Sequence, residues 1–222
     1  MTKVYVSKTA ETLRYDLHIH SKYSFDGILE PKEIISIAAE RGLDGVAVTD
    51  HNTIKGGLEA KKYETRDFTV IVGCEVRTQI GEVLGLFITE EIEQRNFEAV
   101  VAEIRKQGGI TVLPHPFDRF RSPHSTITSD YLHLIDAVET FNARCVLDRF
   151  NAKASKLALS HGKPVVGGSD AHYPYEIGLG QTITKDGNVR KAILEGSTSV
   201  VGIKSSLASH IRTGFLKFRR MF

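Results

Sequence analysis

Apolar, β-branched runs alternate with helix-length amphipathic stretches along the whole 222-residue chain, and this alternation restricts the folds open to it. Strand-like runs fall at 15–20, 45–49 (GVAVT), 69–74 (TVIVGC), 82–88 (EVLGLFI), 110–113 (ITVL), 135–140 (IDAVET), 164–168 (PVVGG) and 198–202 (TSVVG). Between them, PKEIISIAAERG has Pro31 in a first turn, apolar residues at 34, 35 and 38, and Gly42 as a stop. NFEAVVAEIRKQGG and LDRFNAKASKLALSHG follow the same logic. Strands separated by helices need crossover connections, which predicts βαβ units and a mostly parallel α/β sheet. With seven or eight strands and no Gly-x-Gly-x-x-Gly after the first, a closed barrel is favoured over an open dinucleotide-binding sheet. The length suits one barrel-sized domain over residues 1–222, and a 41% hydrophobic, 25% charged composition is that of a globular protein.

In a βα barrel the site forms from the C-terminal ends of the strands and the loops that follow them. The first strand reads YDLHIH, and alternation places His18 and His20 on one face with Asp16, and Leu17 and Ile19 on the other. Further histidines and carboxylates recur at strand ends. Asp50 and His51 follow GVAVT, Glu75 follows TVIVGC, His115 lies in PHP after ITVL, and Asp170 and His172 lie in SDAH after PVVGG. One such residue is an ordinary cap or a solvated side chain. Recurrence at five strand ends points instead to a shared multi-ligand metal site.

These segments, DLHIHSKYSFDG, AVTDHN, GCE, PHP and GSDAH, resemble the ordered motifs of the PHP (polymerase and histidinol phosphatase) family and span residues 16 to 172. The resemblance implies a distorted (β/α)7 TIM-like barrel and phosphoester hydrolysis at two or three divalent ions, drawn from Mn, Zn, Fe and Mg. Such ions lower the pKa of water toward ~7 and clamp phosphate oxygens. Carried over by position, it assigns one ion to His18, His20, Glu75 and Asp170. Glu75 bridges to a second ion taking His115 and Glu82, and a third takes Asp26, His51 and His172. Asp26 and Glu82 stand where relatives often carry histidine, and carboxylate in place of imidazole shifts preference toward harder ions such as manganese.

Around these ligands, Asp50 and His172 are the candidate catalytic groups, Asp50 also being placed to orient an imidazole or cap a helix. Lys22, Arg119 and Arg121 are the candidate phosphate contacts, and Glu139 and Asn142 in VETFN are expected to line the pocket. Cys74, next to Glu75, points the other way and reads as core; His124, His133, His161 and His210 read as surface residues or caps. Partners implied are a phosphorylated small molecule or nucleotide, with nucleic acid a further option. The competing readings are a non-catalytic PHP-like module that binds nucleic acid or protein, and an amidohydrolase-type C–N hydrolase.

The net charge of +2 does not by itself indicate a polyanion partner. Two cysteines without close spacing suggest a reducing, cytoplasmic setting, and the sequence shows neither a signal-like apolar run nor a membrane span. Near the C-terminus Leu207, Ile211, Phe215, Phe218 and Phe222 recur at helical spacing, accompanied by Arg212, Lys217, Arg219 and Arg220. This predicts an amphipathic helix over 205–222 that docks its apolar face on the barrel wall. The oligomeric state is left open.

Overall fold

The computed structural model describes residues 12–118, 129–185 and 187–219. Strands β1 (Leu13–Ile19), β2 (Gly45–Val48), β3 (Thr69–Arg77), β4 (Glu82–Leu86), β5 (Ile110–Leu113), β6 (Ala137–Asn142), β7 (Val165–Gly168), β8 (Gly180–Thr184) and β9 (Ser199–Gly202) form one sheet in the order β7-β6-β5-β4-β3-β2-β1-β8-β9. Helices α1 (Pro31–Glu40), α2 (Lys55–Lys61), α3 (Phe97–Lys106), α4 (Asp148–Ser160), α5 (Val189–Leu194) and α6 (Leu207–Arg219) connect and flank it.

The sheet curls into a nearly closed, distorted TIM-like barrel. The end of β7 meets β1: Asp170 N donates to His18 O at 2.7 Å, and His20 N to Ala171 O at 2.9 Å. Asp16 tightens the seam by accepting from Ser169 N at 2.8 Å and Gly178 N at 2.7 Å, and burial pushes its carboxyl up to about 6. The seam also explains the Gly-Gly of PVVGG. A Cβ on Gly168 would lie 2.4 Å from His18 Cβ, so only glycine lets the strands approach.

The strand pattern departs from the sequence reading in two places. β1-β2-β3 and β5-β6-β7 are parallel, but β4 runs antiparallel to both β3 and β5 and follows β3 without a helix. The connection is tight: Thr78 N donates to Gly81 O at 2.8 Å, and Gly81 sits at φ 149. β8 has no clear strand signal in the sequence, because GQTIT is short and half polar; it pairs antiparallel with β1 and β9. The β1–β2 register also shifts between Asp16 and Ile19. As a result Leu17 packs with Tyr15, Ala47 and Ile71, whereas Ile19 packs with Ile34, Ile35 and Ala38 of α1, and the plain alternation expected for β1 does not hold.

Apolar faces of α1 and α2 cover Val46, Val48 and Val70, while those of α3 and α4 cover Cys74, Val76, Val83 and Val138. Cys74 is therefore core, as its position in the strand suggested. The C-terminal helix behaves otherwise than its periodicity predicts. Among its described side chains Ser209 and Thr213 are buried, whereas Ile211 and Phe215 are 62% and 67% exposed. Arg119, Arg121, His124, Arg220 and Phe222 lie outside the described residues. Among the described residues no helix is long and apolar enough to cross a membrane.

Candidate metal centre

The loop ends of β1, β2, β3, β5 and β7, the start of β4 and the loop after β1 converge on one cleft. All nine residues proposed as ligands meet there in overlapping groups whose donor atoms lie within 4.8 Å of one another. The groups are His20 with Asp26, His51 and His172; His18 with His20 and Asp170; His18 with Glu75 and His115; and His51 with Glu75 and Glu82. Five imidazoles and four carboxylates form a mixed N,O donor set that fits divalent ions such as Mn²⁺, Fe²⁺ or Zn²⁺. The grouping differs in detail from the sequence assignment. His20 joins the Asp26 group, and Glu82 pairs with His51 as well as standing 3.9 Å from His115 Nε2.

Glu75 occupies the middle. Its Oε2 lies 3.3 Å from His20 Nε2, 3.5 Å from His18 Nε2 and 3.1 Å from His51 Nδ1, and its Oε1 lies 3.0 Å from His115 Nε2. Burial disfavours its charge, but His51, His18 and His115 hold its carboxyl well below the usual carboxylate range. Asp26 is held low in the same way, against burial, by His172 and His51. Burial works against charge on His20 as well, yet Asp170 and Glu75 raise its pKa to about 9. His172 goes the other way. Burial outweighs the pull of Asp26 and lowers it to about 4, leaving a neutral imidazole suited to ligation.

The rings are aimed by groups behind them. Glu139 Oε1 accepts from His18 Nδ1 at 2.9 Å, which turns Nε2 toward the cleft. Glu139 Oε2 accepts from His115 N at 2.9 Å and from Asn142 Nδ2 at 3.0 Å, and the same amide nitrogen reaches Asp170 Oδ2 at 3.0 Å. His172 Nδ1 donates to Asp170 O at 2.8 Å, so its Nε2 faces Asp26 at 3.1 Å. Backbone strain supports the same placement. Asn52, His115 and Asp170 all line the cleft with φ of 55, 25 and 57, a left-handed conformation that non-glycine residues adopt at a cost of roughly 1–3 kcal/mol each.

Other expected residues sit differently. Asp50 is buried behind the cleft wall, accepting from Ser21 N at 2.6 Å and Ser21 Oγ at 2.7 Å, so it positions the first loop rather than facing a reacting group. Lys22 turns away to pair with Glu30 at 2.7 Å. His161 Nδ1 meets Leu157 O at 3.0 Å at the end of α4, the capping role expected of it. Sequence reasoning passed over Phe25, Asn52, Arg77, Arg144 and Thr213, which also line the cleft. Arg144, two residues beyond Asn142 at a strand end, carried a usable signal; Thr213, far along the chain on α6, carried none.

Comparison with known proteins agrees with this layout. The model of the PHP domain matches residues 16–159, and a second described as PHP-associated matches residues 148–198. A Methanocaldococcus jannaschii protein named only as uncharacterized is 39% identical over 146 residues, covering 59% of this chain and 82% of its own. A second from the same organism, also named as uncharacterized, is 31% identical over 185 residues, covering 81% of this chain and 73% of its own. A Bacteroides vulgatus two-domain protein containing a predicted PHP-like metal-dependent phosphoesterase has a similar fold. Its TM-score is 0.75 at 21% identity, over 93% of this chain and 70% of that one.

Proposed function

Since the chain belongs to the PHP domain family, we propose that it is a metal-dependent phosphoesterase acting on a small phosphorylated metabolite, a nucleotide or an oligonucleotide end. The observation that carries this reading is the meeting of nine N and O donor residues, supplied by segments spread from residue 18 to residue 172, around one cleft. Divalent ions held there would supply Lewis acidity toward phosphoryl oxygens and toward an attacking water. By the family pattern His18, His20, Glu75 and Asp170 would hold one ion, His115 and Glu82 with Glu75 a second, and Asp26, His51 and His172 a third; the donor groups in the structure overlap and also bring His20 to the third and His51 to the second.

The chain's own groups do the positioning. Glu139 fixes the His18 tautomer, Asn142 ties Glu139 to Asp170, and Asp50 holds the loop that carries Asp26 by binding Ser21. Low-lying Glu75 and Asp26 carboxyls remain charged donors at neutral pH. Phe25 stands at the cleft mouth, half exposed, with its ring 4.8 Å from that of His51; an aromatic face there suits a nucleobase and supports a nucleotide over a sugar phosphate. The buried, unbridged Cys74 and Cys145 are in keeping with a reducing, cytoplasmic setting. We read residues 1–222 as one barrel unit with α6 attached.

The test is hydrolysis of p-nitrophenyl phosphate, bis(p-nitrophenyl) phosphate and a nucleotide panel with Mn²⁺ supplied. Activity is expected with Mn²⁺, and it should disappear on chelation and in folded His20→Ala and Asp170→Ala. No hydrolysis of any ester by metal-loaded protein would favour a non-catalytic binding module instead.

A further inference from the structure

Arg144 presents an arrangement that the metal centre does not use. It leaves the end of β6 with only 2% of its surface exposed and lines the cleft beside Asp26, Asp170 and His172. Nη1 donates to Glu176 Oε2 at 3.2 Å. Nη2 donates to Thr213 Oγ1 at 2.9 Å and lies 3.5 Å from Ser209 O. Nε is buried and has no hydrogen-bond partner. A guanidinium stays charged at any working pH, and an unanswered N–H in a dry wall costs about 1–3 kcal/mol. Its one carboxylate partner is itself shared, since Glu176 Oε2 also accepts from His172 N at 2.9 Å and Tyr173 N at 3.2 Å.

Thr213 explains the orientation of α6. Its hydroxyl donates to Ser209 O at 3.0 Å, which leaves its lone pairs to accept from Arg144. The helix thus turns its polar side to the cleft and leaves Ile211 and Phe215 in solvent. An arginine serving only as a fastener for the C-terminal segment would be expected to spend its donors on that segment. Here Nε is left without a partner, in a residue that lines the cleft beside Asp26, Asp170 and His172.

We propose that Arg144 is a phosphate contact of the substrate, its guanidinium, which the protein leaves incompletely hydrogen-bonded, being completed by a non-bridging phosphoryl oxygen, and that Thr213 of α6 is the residue that positions it. This rests on the phosphoesterase reading. It replaces Lys22 in that role and makes the C-terminal helix part of the active site.

The experiment uses the full-length, Mn²⁺-loaded protein and measures three things: binding of inorganic phosphate by calorimetry, KM and kcat on the best ester of the panel, and metal content. Arg144→Ala should weaken phosphate binding and raise KM by about ten- to hundredfold, the range of a hydrogen bond to a charged group, with metal content unchanged. Millimolar guanidinium should restore part of the loss, which a merely structural role would not allow. Thr213→Val should raise KM by a smaller factor, leave kcat and metal content close to wild type, and gain nothing from guanidinium. If Arg144→Ala does not fold, Arg144→Lys is read in its place and should show the same weakened phosphate binding. Unchanged phosphate affinity and KM in a folded Arg144 variant, beside an active wild type, would overturn the assignment alone. So would a loss in Arg144→Ala that guanidinium does not relieve. A wild type that neither hydrolyses esters nor binds phosphate would overturn the phosphoesterase reading and this assignment with it.

Discussion

His18 Nδ1 faces a carboxylate that stands outside the donor groups: Glu139, 1% exposed, accepts from it and also holds the backbone of His115. Removing that support leaves two ligands free to rotate. Glu139→Gln should therefore weaken metal binding about 10- to 100-fold while the protein stays folded, as metal titration would show. Glu82, whose side chain is only 11% exposed, stands close to Glu75 and His51. Glu82→Ala should lose about one metal per chain by elemental analysis, and Glu82→His should keep it with a shift toward zinc. An unchanged metal count in the alanine variant would make Glu82 a bystander. Protons compete at the same donors. With the His20 pKa raised to about 9, ligation must expel a proton at neutral pH, so apparent metal affinity should rise as pH climbs from about 6.5 toward 9. Calorimetry in buffers of different ionisation enthalpy would detect the released proton.

Two elements turn on close approach rather than on propensity. β7 can lie against β1 only because position 168 has no side chain, since a Cβ there would sit 2.4 Å from His18 Cβ and 2.9 Å from His18 N. Gly168→Ala should cost about 1–3 kcal/mol in urea unfolding and should reduce metal affinity, because β1 carries His18 and leads directly into His20. The second element is α6. With Ile211 and Phe215 mostly in solvent, the double change to serine should alter stability by less than about 1 kcal/mol. A loss of several kcal/mol in the same measurement would mean that the apolar face, and not the Ser209–Thr213 face, is the one that docks.

Over the whole molecule, the centre joins segments far apart in sequence. Donors from β1, β3, β5 and the loop after β7 must all be in place before an ion is held, so metal binding selects the closed barrel over any partly opened form. At a thousandfold excess over its dissociation constant, one ion adds about 4.1 kcal/mol to stability. Chelation should lower the unfolding temperature, and Mn²⁺ should restore it in the wild type but not in His20→Ala. A melting temperature indifferent to Mn²⁺ in the wild type would argue against a resident ion. The same closure keeps most of the donors buried, so carboxylates and imidazoles compensate one another's charge until an ion enters.

The alternation of strands and helices is legible in the order of residues, as is the placing of His18, His20, Glu75, His115, Asp170 and His172 at strand ends, because side-chain period and strand-end position are local properties of the chain. Strand-end position also indicated that His18, His20, His51, Glu75, His115, Asp170 and His172 converge, since a barrel brings strand ends to one rim, whereas Asp26 and Glu82 were implied by the family resemblance. Gly81 is a turn signal between the two strands it joins, but the sequence could not show that β4 also pairs antiparallel with β5 or that GQTIT forms β8, because strand direction and edge pairing depend on which partner is available in three dimensions. The register shift in β1 and the positive φ of His115 and Asp170 are likewise imposed by neighbours. The roles of Asp50, Arg144 and α6 were decided in the same way. Asp50 looked reactive in sequence but is engaged by Ser21, and a helix whose apolar spacing promised a docked face instead docks through Thr213. Periodicity records which residues share a face, whereas a buried charge elsewhere in the fold decides which face is held.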